Sequence, residues 1–135
     1  MNINIKATNI ELTPAIRAYV EEKVGMLGKL IDPADTSAHA DVEVGRTTTH
    51  HQSGDIFRAE INLRIAGAKL RAVAERDDLY AAIDEMKGEL MRQLRKEKTK
   101  RTDVVRRGGL AFKRMLRRLS RSHEVSEANE AKNND

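Results

Sequence analysis

Between Phe57 and Ile65, apolar Phe57, Ala59, Ile61, Leu63 and Ile65 alternate with polar Arg58, Glu60, Asn62 and Arg64. No other stretch of the chain constrains the fold as tightly. Successive side chains of a strand leave on opposite faces, so this run must lie in a sheet with one face covered and the other wet. A register slip of one residue would turn its whole apolar set into water. The same alternation recurs at Ile3, Ile5 and Ala7, at Ala38, Ala40, Val42 and Val44, and at Leu70, Ala72 and Ala74. Ala66-Gly67 makes a tight turn between the last two strands, and the polar stretch from Thr47 to Asp55 makes a longer hairpin loop.

Two helical stripes supply the cover. Thr13 caps the first, and Pro14 fits the first helical position, where no N–H bond is lost. Ile16, Tyr19, Val20, Val24 and Leu27 then follow at spacings of three and four, and Asp32-Pro33 ends the segment. Asp77 or Asp78 caps a long second helix with the stripe Leu79, Ile83, Met86, Leu90 and Leu94, in which Gly88 is the weak position. The order strand, helix, three strands, helix predicts an α+β domain over residues 1–98. An antiparallel four-stranded sheet with both helices packed on one face buries every one of these stripes.

Beyond Lys96 the periodicity lapses into Lys, Arg and Thr. Residues 99–135 therefore read as a flexible, basic C-terminal extension. Gly108-Gly109 is read as its hinge, followed by a short amphipathic helix at Leu110–Leu119. Phe112, Met115, Leu116 and Leu119 take one side of that helix, and Lys113, Arg114, Arg117 and Arg118 surround the rest. The last dozen residues are polar and are expected to lack fixed structure.

The net charge of +4 conceals a strong asymmetry. Residues 91–122 carry 13 basic and 2 acidic side chains, against 11 basic and 15 acidic in residues 1–90. Such a block points to a partner of opposite sign, nucleic-acid phosphate or an anionic membrane. Arg92, Arg95 and Lys96 lie off the apolar stripe near the end of the second helix, where the helix dipole also favours cations. Dipole compensation needs only one or two charges, and the run continues through Lys98, Lys100 and Arg101. Arg17, Lys23 and Lys29 lie off the stripe of the first helix. Two neighbouring helices presenting cations outward would cradle phosphates by shape rather than by reading sequence.

Catalytic chemistry finds no foothold. The chain has no Cys, which removes thiol nucleophiles and thiolate zinc sites and fits a reducing, cytoplasmic setting. Gly25 and Gly28 lie at a helix end rather than between strand and helix, so they form no phosphate loop. His39, His50 and His51 lack metal-ligand spacing, and Ser37, Ser53, Ser120 and Ser122 lack a nucleophile-elbow context. No carboxylate pair sits in an apolar setting that would shift its pKa. The chain is read as a non-enzyme with no metal or cofactor. The opening Met-Asn-Ile-Asn-Ile-Lys is neither a signal nor a transit peptide. No apolar run approaches the roughly 18–20 residues that span a bilayer. Two Tyr, two Phe and no Trp are too few for a base-stacking platform.

Thr13-Pro14-Ala15-Ile16-Arg17 with Tyr19-Val20-Glu21-Glu22-Lys23 resembles the first helix of the bacterial ribosome hibernation-promoting factors, also called ribosome-associated inhibitors or subunit-interface proteins. Asp78-Leu79-Tyr80-Ala81-Ala82-Ile83-Asp84, then Leu90, Arg92-Gln93-Leu94 and Lys96, resembles their second helix more closely. The resemblance covers roughly residues 1–98, and the block around Tyr80 is its most specific part. It implies a topology similar to a double-stranded-RNA-binding domain. It also implies binding to rRNA of the small ribosomal subunit near the decoding region, between head and body. There the protein would block the transfer- and messenger-RNA sites and hold idle ribosomes silent in starved cells.

Arg17, Lys23, Lys29, Arg92 and Lys96 match positions of the family's rRNA contacts, whereas Met26 and Glu89 stand where relatives often carry Lys or Arg. Nothing after residue 100 resembles the separate domain with which long-form relatives pair ribosomes. The resemblance therefore implies a short form with a basic tail. Lys113, Arg114, Arg117 and Arg118 are the expected tail contacts, and self-association through the tail is a further expectation. A function of another class also fits the residues: a peripheral membrane or partner-docking protein acting through Leu110–Leu119, since cationic amphipathic helices lie on anionic lipid.

Overall fold

The computed structural model describes residues 1–47 and 54–133, the last of these as helical backbone alone for 101–105 and 120–133. The loop residues 48–53, with His50, His51 and Ser53, lie outside the described residues, as do Asn134 and Asp135. Strands β1 (Asn2–Thr8), β2 (His39–Arg46), β3 (Phe57–Ile65) and β4 (Ala68–Arg76) form one sheet in the order β1-β2-β3-β4. Helix α1 (Pro14–Gly25) links β1 to β2, and helix α2 (Leu79–Asn133) follows β4. The architecture is α+β, in the strand and helix order read from the sequence.

The sheet is mixed, which corrects the antiparallel expectation. β2, β3 and β4 pair antiparallel, but β1 runs parallel to β2, with Asn2 opposite His39 and Thr8 opposite Gly45. The reason is topological. A helix between two neighbouring strands carries the chain back to its starting end, so the second strand points the same way as the first. Alternating polarity reports which face is buried and carries no information on strand direction.

Each apolar stripe of the first 97 residues reaches the core. Ala40, Val42 and Val44 of β2, Ala59, Ile61 and Leu63 of β3, and Ala72 and Ala74 of β4 are buried on one face. Against them pack Val20, Val24 and Leu27 from the first helical segment and Leu79, Ile83, Met86, Leu90 and Leu94 from α2. Among the described residues no polar or charged residue is buried. Truncating any of the larger side chains to Ala would cost about 2–5 kcal/mol.

The helix starts follow the capping logic. Thr13 Oγ1 accepts from the Ile16 N–H at 3.2 Å, and Asp78 Oδ2 accepts from the Ala81 N–H at 3.0 Å, which settles the second cap on Asp78. After Gly25 the chain tightens into a 3-10 turn, Met26–Leu30, that carries the stripe on to buried Leu27.

The chain divides into two compact units, Met1–Glu97 and Lys98–Asp135. Within the second, helical backbone passes through Gly108 and Gly109, where the sequence reading places a hinge, and continues to Asn133. The backbone at Gly108-Gly109 is thus helical where a hinge is expected. Each helical glycine costs about 1 kcal/mol relative to Ala, and the Arg, Lys, Leu, Met and Ala around the pair are good helix formers.

Candidate nucleic-acid interface

Within the first unit, the cations that the sequence reading singles out sit on α1, on the 3-10 turn after it and on α2. Arg17 follows the Thr13 cap and is exposed, as is Lys29 on the 3-10 turn. Lys23 is half-buried. Its Nζ stands 3.7 Å from Asp84 Oδ1 and 5.2 Å from the centroid of the Tyr19 ring. The Tyr19 hydroxyl donates to the same Asp84 oxygen at 2.7 Å, and the edge of Tyr80 meets Tyr19 with ring centroids 4.8 Å apart. Tyr19, Lys23, Tyr80 and Asp84 thus pin α1 to the first turns of α2. The hydrogen bond to Asp84, then burial and the charges of Asp84, Glu22 and Asp78, push the Tyr19 pKa up to about 12. The sequence reading counted Tyr19 as core and gave Asp84 no role, because nothing in the spacing pairs residues 65 apart.

Further along α2, Arg92, Arg95 and Lys96 are exposed. Arg92 is held by its own helix, with Nε and Nη2 both donating to Glu89 Oε2. Gln93 Nε2 donates to the Arg71 carbonyl of β4 at 2.8 Å and lies 3.4 Å from Glu89 Oε1. Hydrogen bonds from Arg92 and Gln93, with the charges of Arg92 and Lys96, hold the Glu89 carboxyl below the usual carboxylate range. Arg95 Nη2 reaches Met91 Sδ at 3.4 Å. Glu89 is therefore a built-in competitor for any phosphate that approaches Arg92.

In the second unit, Lys98 and Lys100 are exposed, and the side chain of Arg101 lies outside the described residues. Lys113, Arg114, Arg117 and Arg118 are exposed as well. At helical spacing Phe112, Met115, Leu116 and Leu119 share one side, and all four stand 49–61% exposed, an uncovered apolar stripe. Among the described residues no three His, Asp or Glu side chains are grouped to hold a metal, and no helix is long and apolar enough to cross a membrane.

Residues 3–102 match the family model described as sigma 54 modulation protein / S30EA ribosomal protein. The ribosome hibernation promotion factor of Bacillus subtilis is 37% identical over 100 residues, covering 74% of this chain and 50% of that protein. The factor of the same name from Staphylococcus aureus is 35% identical over 101 residues, with 74% and 50% coverage. The chain spans about half the length of the curated relatives it matches. Among solved structures, the N-terminal domain of Thermus thermophilus Protein Y superposes with a TM-score of 0.61 at 34% identity, over 71% of this chain and 98% of that one. A ribosomal subunit interface protein from Coxiella burnetii shares the fold, with a TM-score of 0.58 at 22% identity over 73% and 99% of the two chains.

Proposed function

The chain belongs to the sigma 54 modulation protein / S30EA ribosomal protein family, and from that premise we propose that it silences idle ribosomes by occupying them. It binds rRNA of the small subunit near the decoding region, in the cytoplasm, and blocks the sites of transfer and messenger RNA. It acts by occupancy, without turnover and without a cofactor. Arg17, Lys23, Lys29, Arg92, Arg95 and Lys96 face the phosphates, with Lys98, Lys100 and Arg101 extending the contact. The observation that carries this reading is the helix pair itself. Helices α1 and α2, joined through Tyr19 and Asp84, together with the 3-10 turn after α1, present exposed Arg17, Lys29, Arg92 and Lys96, cations suited to phosphate rather than to base edges. The names of the relatives, ribosome hibernation promotion factor above all, agree with it. Sucrose-gradient fractionation tests it: the protein should migrate with small subunits and intact ribosomes, and absence from those fractions at low salt would refute it.

The uncovered stripe on the second unit favours a second reading, docking through residues 110–119. On the ribosome this helix would lay Lys113, Arg114, Arg117 and Arg118 on rRNA and its apolar side on a ribosomal protein or a second copy. A peripheral membrane protein would lay the same helix on anionic lipid instead. Flotation with anionic liposomes in the absence of ribosomes would identify the membrane alternative.

A further inference from the structure

The face of the sheet turned away from the helices is polar, and its charges are mostly matched. Arg58 stands 3.4 Å from Glu60 and 3.8 Å from Glu75, Arg71 is bonded through its Nε to Glu60 at 2.7 Å, and Lys6 lies opposite Glu43 in register. One corner breaks this rule. Arg64 of β3 lies directly opposite Lys69 of β4, and neither forms a salt bridge with a described residue. Like charges placed directly opposite across an antiparallel pair destabilise it, so the pairing works against the fold. Across the other edge of β3, Arg64 lies opposite His39. These residues line an open cavity of about 420 Å³, together with Asn62, Arg71 and Asp41. The Asp41 carboxylate is taken up by His39 at 3.0 Å and Asn4 at 3.4 Å, and the Arg71 guanidinium by Glu60. Among the described residues, Arg64 and Lys69 are left as the cations of this corner with no salt bridge of their own.

We infer that this corner is a phosphate-binding site, in which Arg64 and Lys69 clamp the anion and Asn62 donates a hydrogen bond beside them. A phosphate group supplies a counter-charge for the Arg64–Lys69 pair, and the guanidinium fork of Arg64 matches its oxygens two at a time. The site lies on the opposite side of the sheet from Arg92 and Lys96, and it does not rest on the ribosome reading. Two sources present the same chemistry: an RNA backbone, or a small polyphosphate-bearing ligand of a size the cavity admits.

The test is an NMR titration of the full-length protein, with tripolyphosphate in one series and a short RNA duplex in another. Resonances of His39, Asn62, Arg64 and Lys69 should move on addition of phosphate. Movement at lower concentration with RNA than with tripolyphosphate identifies the backbone, and the reverse order identifies a small ligand. With RNA as the source, Arg64→Gln/Lys69→Gln should also lower the slope of log affinity against log salt by about two, one for each lost contact. Lys69→Glu, which places opposite charges across the two strands, should raise Tm while abolishing the response. That result separates a binding role from a structural one. The same resonances should still respond in Arg92→Glu/Lys96→Glu. No movement with either probe would overturn the site and leave the ribosome reading intact. Movement in a protein that fails to sediment with ribosomes would do the opposite.

Discussion

At Gly45 a β-carbon would stand 2.4 Å from the Thr8 carbonyl oxygen of the neighbouring parallel strand, a backbone atom with little room to retreat. At Gly88, inside α2, a β-carbon would meet nothing within 4 Å. The same substitution should therefore have opposite signs. Gly45→Ala should cost about 1–3 kcal/mol, as overpacking does, and Gly88→Ala should gain about 0.5–1 kcal/mol by removing a glycine from a helix interior. Urea denaturation of the two variants checks both. Tyr19 gives a pH signature. Its pKa is raised to about 12 in the folded chain, so the contribution of its hydroxyl to stability is fully present below the unfolded tyrosine pKa near 10 and is lost as pH rises toward 12. In an ultraviolet titration a tyrosinate step near 12 should be present in the wild type and absent from Tyr19→Phe. The variant should also lose less stability between pH 10 and pH 12.

At the scale of elements, what the sequence made legible was periodicity. The five alternating positions from Phe57 to Ile65 identify β3 and its covered face, and the stripe from Leu79 to Leu94 identifies the buried side of α2. Features that depend on distant partners were not legible. The parallel pairing of β1, the close approach at Gly45 and the hydrogen bond from Tyr19 to Asp84 all join residues far apart in the chain, and no local pattern marks them. Gly108-Gly109 misled in the other direction, because glycine's helix cost is small enough for neighbours to outweigh. Within the candidate site, the basic helix positions were readable from the sequence, but their engagement by Glu89 and Asp84 was not. Glu89→Gln should release Arg92 and tighten RNA binding about two- to fivefold, the size of a surface ion pair. A filter-binding comparison at fixed salt checks this, and unchanged or weaker binding would remove Arg92 from the interface. The core runs from Val20 to Leu94, inside the first compact unit. Truncation after Arg107 should therefore leave that unit folded and still able to bind, but with faster release from ribosomes at moderate salt. Unchanged dissociation would make residues 108–135 a solvated extension.

For the molecule as a whole, function follows from how charge is divided. Residues 1–90 carry 15 acidic against 11 basic side chains, while residues 91–122 carry 13 basic against 2 acidic. A protein so arranged is steered to a polyanion by one part of its surface, and the affinity comes largely from released counterions. The most direct measurement is co-sedimentation with small ribosomal subunits across a salt series, for the wild type and for Arg92→Glu/Lys96→Glu. If about five of the nine named cations touch phosphate at once, log affinity should fall against log salt with a slope of about −4.5, by the rule for duplex DNA. The double variant, its changed positions both exposed, should keep its fold, bind more weakly and show a shallower slope. A salt-independent association, or a double variant that binds as tightly as the wild type, would contradict the account.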